Sequence, residues 1–270
     1  VLLLNAGAGE RYNLSPNQVN SRDYSNITIT SLNKSGIYLF KDPTRALRGV
    51  LVRMADGTNN FNIGNIDILV SSEGLITATM TNGVICADIE ASVSNIIIDG
   101  VKIYNEVKAD NILGLEGINF YRLTSNASDT KINSNITVRN CDIKLYGSNS
   151  YGIHTLRPID NFNILNNKVE LVANTNASAD AFNAIAVYGD CEGFLVDGNV
   201  VTGSGHSGIA ISSARKGAVV NNRVSNVMFG QSINEAGIEV EFKAGHGSST
   251  TPIEAHDVIV SNNYVEKCKI

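Results

Sequence analysis

Six segments of this chain share one short pattern, and no other feature limits its fold as tightly. They are 94-SNIIIDGVKI-103, 134-SNITVRNCDI-143, 160-DNFNILNNKV-169, 192-EGFLVDGNVV-201, 216-KGAVVNNRVS-225 and 256-HDVIVSNNYV-265. In each, the third and fifth residues are apolar, as with Ile96 and Ile98, Ile136 and Val138, or Ala218 and Val220. A two-residue period marks a strand with one face in a core. In each, the seventh residue is Gly or Asn: Gly100, Asn140, Asn166, Gly198, Asn222 and Asn262. These types enter a left-handed backbone conformation at least cost, so the chain turns at the same point every time. Apolar alternation resumes beyond the turn, and weaker copies begin at 25-SNITIT-30 and 64-GNIDILV-70.

Successive copies lie 24 to 40 residues apart. A helical repeat would keep a stricter period, with apolar residues at i, i+3 and i+4. Short strands, Gly/Asn turns and loops of varying length instead predict an all-β chain, a parallel β-helix of about eight coils. Each coil supplies two or three strands and stacks on the next by parallel pairing. The 34 asparagines fit this reading, because amide side chains stacked at the turns can hydrogen-bond along the axis. A Greek-key sandwich is the alternative, but its strands would not repeat one turn signature. The expected organisation is a single domain over residues 1–270, with 1–24 as a lead-in and 25–270 as stacked coils. Both ends read like the interior of a longer chain.

A further strand lies between the anchors: 36-GIYLF-40, 117-GINFYR-122, 152-GIHTLR-157, 184-AIAVYG-189, 208-GIAISS-213 and 237-GIEVEF-242. Several connections into it are long, at 105–116, 173–183 and 228–236, so one edge of this sheet should be walled by loops. Composition narrows the function. A net charge of −5 with no basic stripe argues against a nucleic-acid partner. The opening 1-VLLL-4 is too short for a signal core or a membrane span. Cys86, Cys141, Cys191 and Cys268 lie far apart without metal-ligand spacing, so buried free thiols are expected.

The segments SNITVRN, DNFNILNN and HDVIVSNN, together with the GI strands, resemble the right-handed parallel β-helix superfamily of pectate lyases, polygalacturonases and phage tailspike depolymerases. The resemblance runs from about Ser25 to the C-terminus. It implies a polysaccharide lying in a groove on one sheet face, walled by long loops. The Tyr-Gly-x-Asp-Pro-His motif of alginate epimerases is absent; 151-YGIHTLRP-158 echoes it without the Asp. The Asn-Thr-Asp and Gly-His-Gly motifs of polygalacturonases are absent too. The resemblance therefore implies carbohydrate binding rather than one particular reaction.

Aligning the GI strands puts Asn119, His154, Ala186, Ala210 and Glu239 in one outward column, and Tyr121, Leu156, Tyr188, Ser212 and Glu241 in the next. Glu239 and Glu241 are the expected catalytic pair. Two residues apart on one strand face, their Cα atoms are about 6.7 Å apart, a spacing that suits the two carboxyl groups of a glycosidase. Two solvated surface glutamates would give the same pattern. Asp180 is a third candidate, as a catalytic carboxylate or calcium ligand reaching from its loop. Tyr188 and Tyr121 could stack on sugar rings, and the small Ser212 would let a polymer lie close to the sheet. His154 and Arg157 could hold an acidic sugar or serve a lyase, with His206 and Lys243 at the rim. No metal site is expected unless the reaction is a lyase's, where Ca²⁺ would serve. The expected function is an endo-acting depolymerase, hydrolase before lyase, in a phage tailspike. That setting implies a homotrimer, extracellular or in the virion, with a polysaccharide partner and neither nucleic acid nor membrane. A secreted lyase on uronic-acid polymers and a non-catalytic adhesin are the alternatives.

Overall fold

In the computed structural model every strand pair is parallel, and each strand pairs with its counterparts one coil away. The structure describes residues 2–4, 11–14, 21–39, 50–71, 83–88, 91–105, 115–120, 132–146, 150–156, 158–172, 183–227, 236–241 and 255–268. Among these, sheet A holds nine strands, from Leu2–Leu4 to His256–Ser261, and carries the anchor segments. Sheet B follows the turn and also holds nine, from Arg11–Leu14 to Tyr264–Glu266. Sheet C holds seven, from Val52–Met54 to Ile238–Glu241, and carries the GI strands. Three parallel sheets wound in this order make a parallel β-helix. Leu2–Leu4 and Arg11–Leu14 pair with Thr28–Ser31 and Gly36–Leu39, so the stretch read as a lead-in already contains strands of the solenoid.

The alternation in the sequence becomes ladders of like residues inside. Ile85, Ile118, Ile153, Ile185, Ile209 and Ile238 stand in one register along sheet C. All but the last are wholly buried. Burying such a side chain contributes about 1.5–3 kcal/mol. At the C-terminal coil, inward-facing Val240, Val260 and Val265 remain 40%, 48% and 45% exposed.

The glycine that opens the GI strands has a steric cause. A Cβ on Gly152 would lie 2.3 Å from Val169 Cγ1 and 2.5 Å from the Ala184 carbonyl oxygen. Here sheet C passes directly over the core side chains of sheet B. The turns behave as the seventh-position residues require: Gly100, Asn140, Asn166, Gly198 and Asn262 all have positive φ.

Three segments sit differently from expectation. The strand Gly36–Leu39 belongs to sheet B, because Ile37 pairs with Ile68 rather than with a GI strand. In the copy near residue 64, Asn65 (φ 55°) is the turn residue, and the strand before it is Asn59–Gly64. In the copy near 216 the register moves by one. Val219 pairs with inward Val196, and Asn221 makes the turn (φ 56°). Gly217 then faces inward, where a Cβ would lie 2.3 Å from the Phe194 ring. The ring of one coil fills the space its neighbour leaves.

That shift releases Asn222 for an internal ladder of Asn167, Asn199, Asn222 and Asn263. Each Oδ1 accepts the backbone N–H one coil before it, starting with that of Cys141, at 2.9 Å in every case. Each amide donates back to a carbonyl: Val138, Ile164, Val196 and Val219. An exposed run, Asn59–Asn95–Asn135–Asn161, bonds side chain to side chain on the outside. The asparagine excess thus has the structural role expected of it. The cysteines are free, and burial pushes the thiols of Cys86, Cys141 and Cys191 up to about 12.

Candidate functional site

The outward column of sheet C is in the expected register. Arg53, Cys86, Asn119, His154, Ala186, Ala210 and Glu239 are successive partners, and Tyr188, Ser212 and Glu241 form the column beside them. It is not, however, a wet strip along its length. His154 is 2% exposed, Tyr188 5%, and Ala186, Ala210 and Ser212 are wholly buried. The small residues do not leave the expected room for a polymer. Tyr151, Tyr188 and partly buried Leu156 pack over Ala186 and Ala210 as an apolar cluster apart from the main core.

His154 lies inside this cover. Its ring stacks on Tyr151 at 4.0 Å between centroids and 11° between planes, and meets Tyr188 edge-on at 5.8 Å. Its Nδ1 is 3.7 Å from Oε2 of Glu116, a carboxylate only 1% exposed. A ring held this way is an internal partner of Glu116, not the surface contact for sugar that the sequence suggests. Asn183 donates from its amide to the Tyr188 hydroxyl. That bond and the packing on Ala186 hold Tyr188 over the sheet rather than open to stack on a ligand. Nearer the N-terminus, Arg53 pairs with Asp88 at 2.6 Å beside Cys86.

The half-buried end of the face carries the glutamates. Glu239 and Glu241 sit on the strand Ile238–Glu241, in register with Ala210 and Ser212, and both are partly exposed. Glu239 Oε2 accepts a hydrogen bond from the Ser207 hydroxyl at 2.6 Å. His206 is partly exposed in the turn before Ser207, and its carbonyl accepts from the Ser204 hydroxyl at 2.9 Å. Asp180, Arg157, Tyr121 and Lys243 lie outside the described residues. Among the described residues no three His, Cys, Asp or Glu side chains converge as a metal-ligand group.

Sequence reasoning missed Glu116, Tyr151, Asn183 and Ser207. Glu116 read as the last residue of a long connection, yet it pairs with Tyr151 in sheet C. Its place directly ahead of GINF, matching Tyr151 ahead of GIHT, is the signal that could have found it. Ser207 carried no signal beyond its place in a Gly/Ser-rich turn.

No family model matches the chain, and no curated protein matches it. Among solved structures, the A-module of the mannuronan C-5 epimerase AlgE6 from Azotobacter vinelandii is similar over 95% of this chain and 76% of its own length. The identity is 13% and the TM-score 0.35.

Proposed function

We propose that this β-helix is an endo-acting polysaccharide depolymerase that hydrolyses glycosidic bonds with Glu239 and Glu241 as its acid and base. The observation that carries the reading is the position of these two carboxylates. They are neighbours on one outward strand face, at the partly exposed end of sheet C. Glycoside hydrolysis needs two carboxyl groups facing one bond. The charge of the face also favours hydrolysis over β-elimination. Its partly exposed end carries Glu239 and Glu241, while Glu116 and His154 are buried and Arg53 is paired with Asp88. A lyase must draw in and neutralise a uronate, which such a surface disfavours.

The setting proposed is a phage tailspike acting on a bacterial capsular or O-antigen polysaccharide, as a homotrimer outside the cell or on the virion. Its support is the sequence resemblance of the anchor and GI segments. The test is to incubate the protein with a panel of bacterial surface and plant polysaccharides and follow chain length by size-exclusion chromatography. Shortening of one polymer to discrete fragments is the expected result. Binding to a polymer without shortening would make the chain an adhesin instead.

A further inference from the structure

We propose that the outer face of sheet B is a second carbohydrate-binding surface, where an uncharged polysaccharide lies along the solenoid axis over Tyr38, Tyr104 and Tyr146. The inference goes beyond the proposed cleavage, because it concerns a different sheet and would hold for a chain that cleaves nothing. Alternation with core residues turns these rings outward. Ile37 and Leu39 flank Tyr38, Ile103 and Asn105 flank Tyr104, and Leu145 precedes Tyr146, and all five of these neighbours are buried. Parallel pairing sets Tyr38, Leu69, Tyr104, Lys144 and Glu170 in one column. Tyr146 stands two residues beyond Lys144 on the strand Asp142–Tyr146. All three tyrosines are partly exposed, whereas Tyr151 and Tyr188 on sheet C are buried. Tyr38 and Tyr104 are two coils apart, about 9.6 Å. A chain running along the axis therefore meets Tyr38, then Tyr104, then Tyr146 one coil further on.

Neighbouring groups hold two of the rings in place. The Tyr104 hydroxyl donates to Asp142 Oδ2 at 2.7 Å, one coil on. Lys144 Nζ lies 5.4 Å from the centre of the Tyr146 ring and 2.8 Å from Glu170 Oε1. Groups fixed before a ligand arrives lose less freedom when it binds. A sugar ring offers an apolar C–H face that packs on an aromatic ring, and a rim of hydroxyls that bond charged groups. Charge selects among polymers. In this strip Asp67, Asp142 and Glu170 stand against Lys102, Lys144 and Lys168, three of each sign. Lys102 Nζ is 4.0 Å from Asp67. A balanced strip exerts no net attraction on a uronate polymer or a nucleic acid, both polyanions. A protein partner would have to desolvate these charges, and interface cores are depleted in them. A neutral sugar chain leaves the pairs in place and lends them its hydroxyls. On a long polymer, such a contact keeps the chain at high local concentration near the protein.

The test is affinity electrophoresis in native gels that hold a neutral glucan, mannan or galactan, with polygalacturonate as the anionic comparison. At least one neutral polymer should slow the wild type, and polygalacturonate should not. Tyr38→Ala, Tyr104→Ala and Tyr146→Ala should each raise the dissociation constant about twofold to tenfold, the strength of one aromatic contact. Three separate rings keep the test decisive if one variant fails to fold, which thermal unfolding reveals. Tyr104→Phe, which keeps the ring, should stay within about twofold of wild type. Thr137→Ala, on the outer face of sheet A, should bind as wild type does. Retardation by polygalacturonate alone, or by no polymer, overturns the proposal. So does binding that is unchanged in the tyrosine variants, or that is lost instead in Glu239→Gln and Glu241→Gln, which would move the contact to sheet C. If a polymer is shortened but the tyrosines make no difference to binding, the proposed function stands and this inference falls. If binding depends on the tyrosines and no polymer is shortened, the inference stands and the proposed function falls.

Discussion

Asn199 accepts the Asn167 backbone N–H at 2.9 Å, and its amide reaches both the Ile164 carbonyl and Asn222 Oδ1 at 2.9 Å. Asn199→Ala leaves the buried Asn167 N–H without that acceptor, and should destabilise the fold by at least about 2 kcal/mol. Denaturant unfolding measures this, and cleavage by the folded fraction should be unchanged, since the ladder runs between sheets A and B. Glu192 makes a different residue-scale prediction. Its carboxyl is held down at about 2, first by Lys216 and then by Arg215, at 2.5 and 2.7 Å. With the folded-state value depressed, the stabilisation is fully present above the ordinary value of 4.5 and is lost as pH falls toward 2. The unfolding-temperature advantage of wild type over Glu192→Gln should therefore shrink between about pH 5 and pH 2. The asparagine excess was legible in the sequence, but its division of labour was not. In Asn166–Asn167, Asn221–Asn222 and Asn262–Asn263 the first residue turns with positive φ and the second bonds along the axis. Identical neighbours do not reveal which is which, and near residue 220 that ambiguity moved the expected register by one.

At the scale of the strand, alternation predicted the outward columns of sheet C in the observed register, from Asn119 through Glu239. It did not predict that His154, Tyr188 and Ser212 would be buried. Period-two patterning states which side a residue faces and is silent on what packs over that side. The cover comes from Tyr151 and Tyr188, large rings set among Ala186 and Ala210. The GI motif marked the start of most sheet C strands, and its cause is the close approach of two sheets. Gly152→Ala would force a Cβ to within 2.5 Å of the Ala184 carbonyl oxygen and 2.3 Å of Val169 Cγ1. It should destabilise by about 1–3 kcal/mol, as overpacking does. Thermal unfolding checks this, and a midpoint unchanged from wild type would mean that the sheets can part at little cost.

For the whole molecule, each coil pairs with its neighbours along three parallel sheets, so its stability is spread along the solenoid. The tailspike resemblance leads us to expect a homotrimer for the intact protein, measured as mass by light scattering; a clean monomer would count against the tailspike setting. The central claim, hydrolysis by a glutamate pair, is tested most directly on the polymer that the protein shortens. New reducing ends and ultraviolet absorbance should be followed together for the wild type, Glu239→Gln and Glu241→Gln. We predict reducing ends without absorbance for the wild type, and none for either variant. Both variants should unfold within about 0.5 kcal/mol of it, because each side chain is partly exposed at the surface. Rising absorbance, the mark of a new conjugated double bond, or full activity in both variants, would contradict the account.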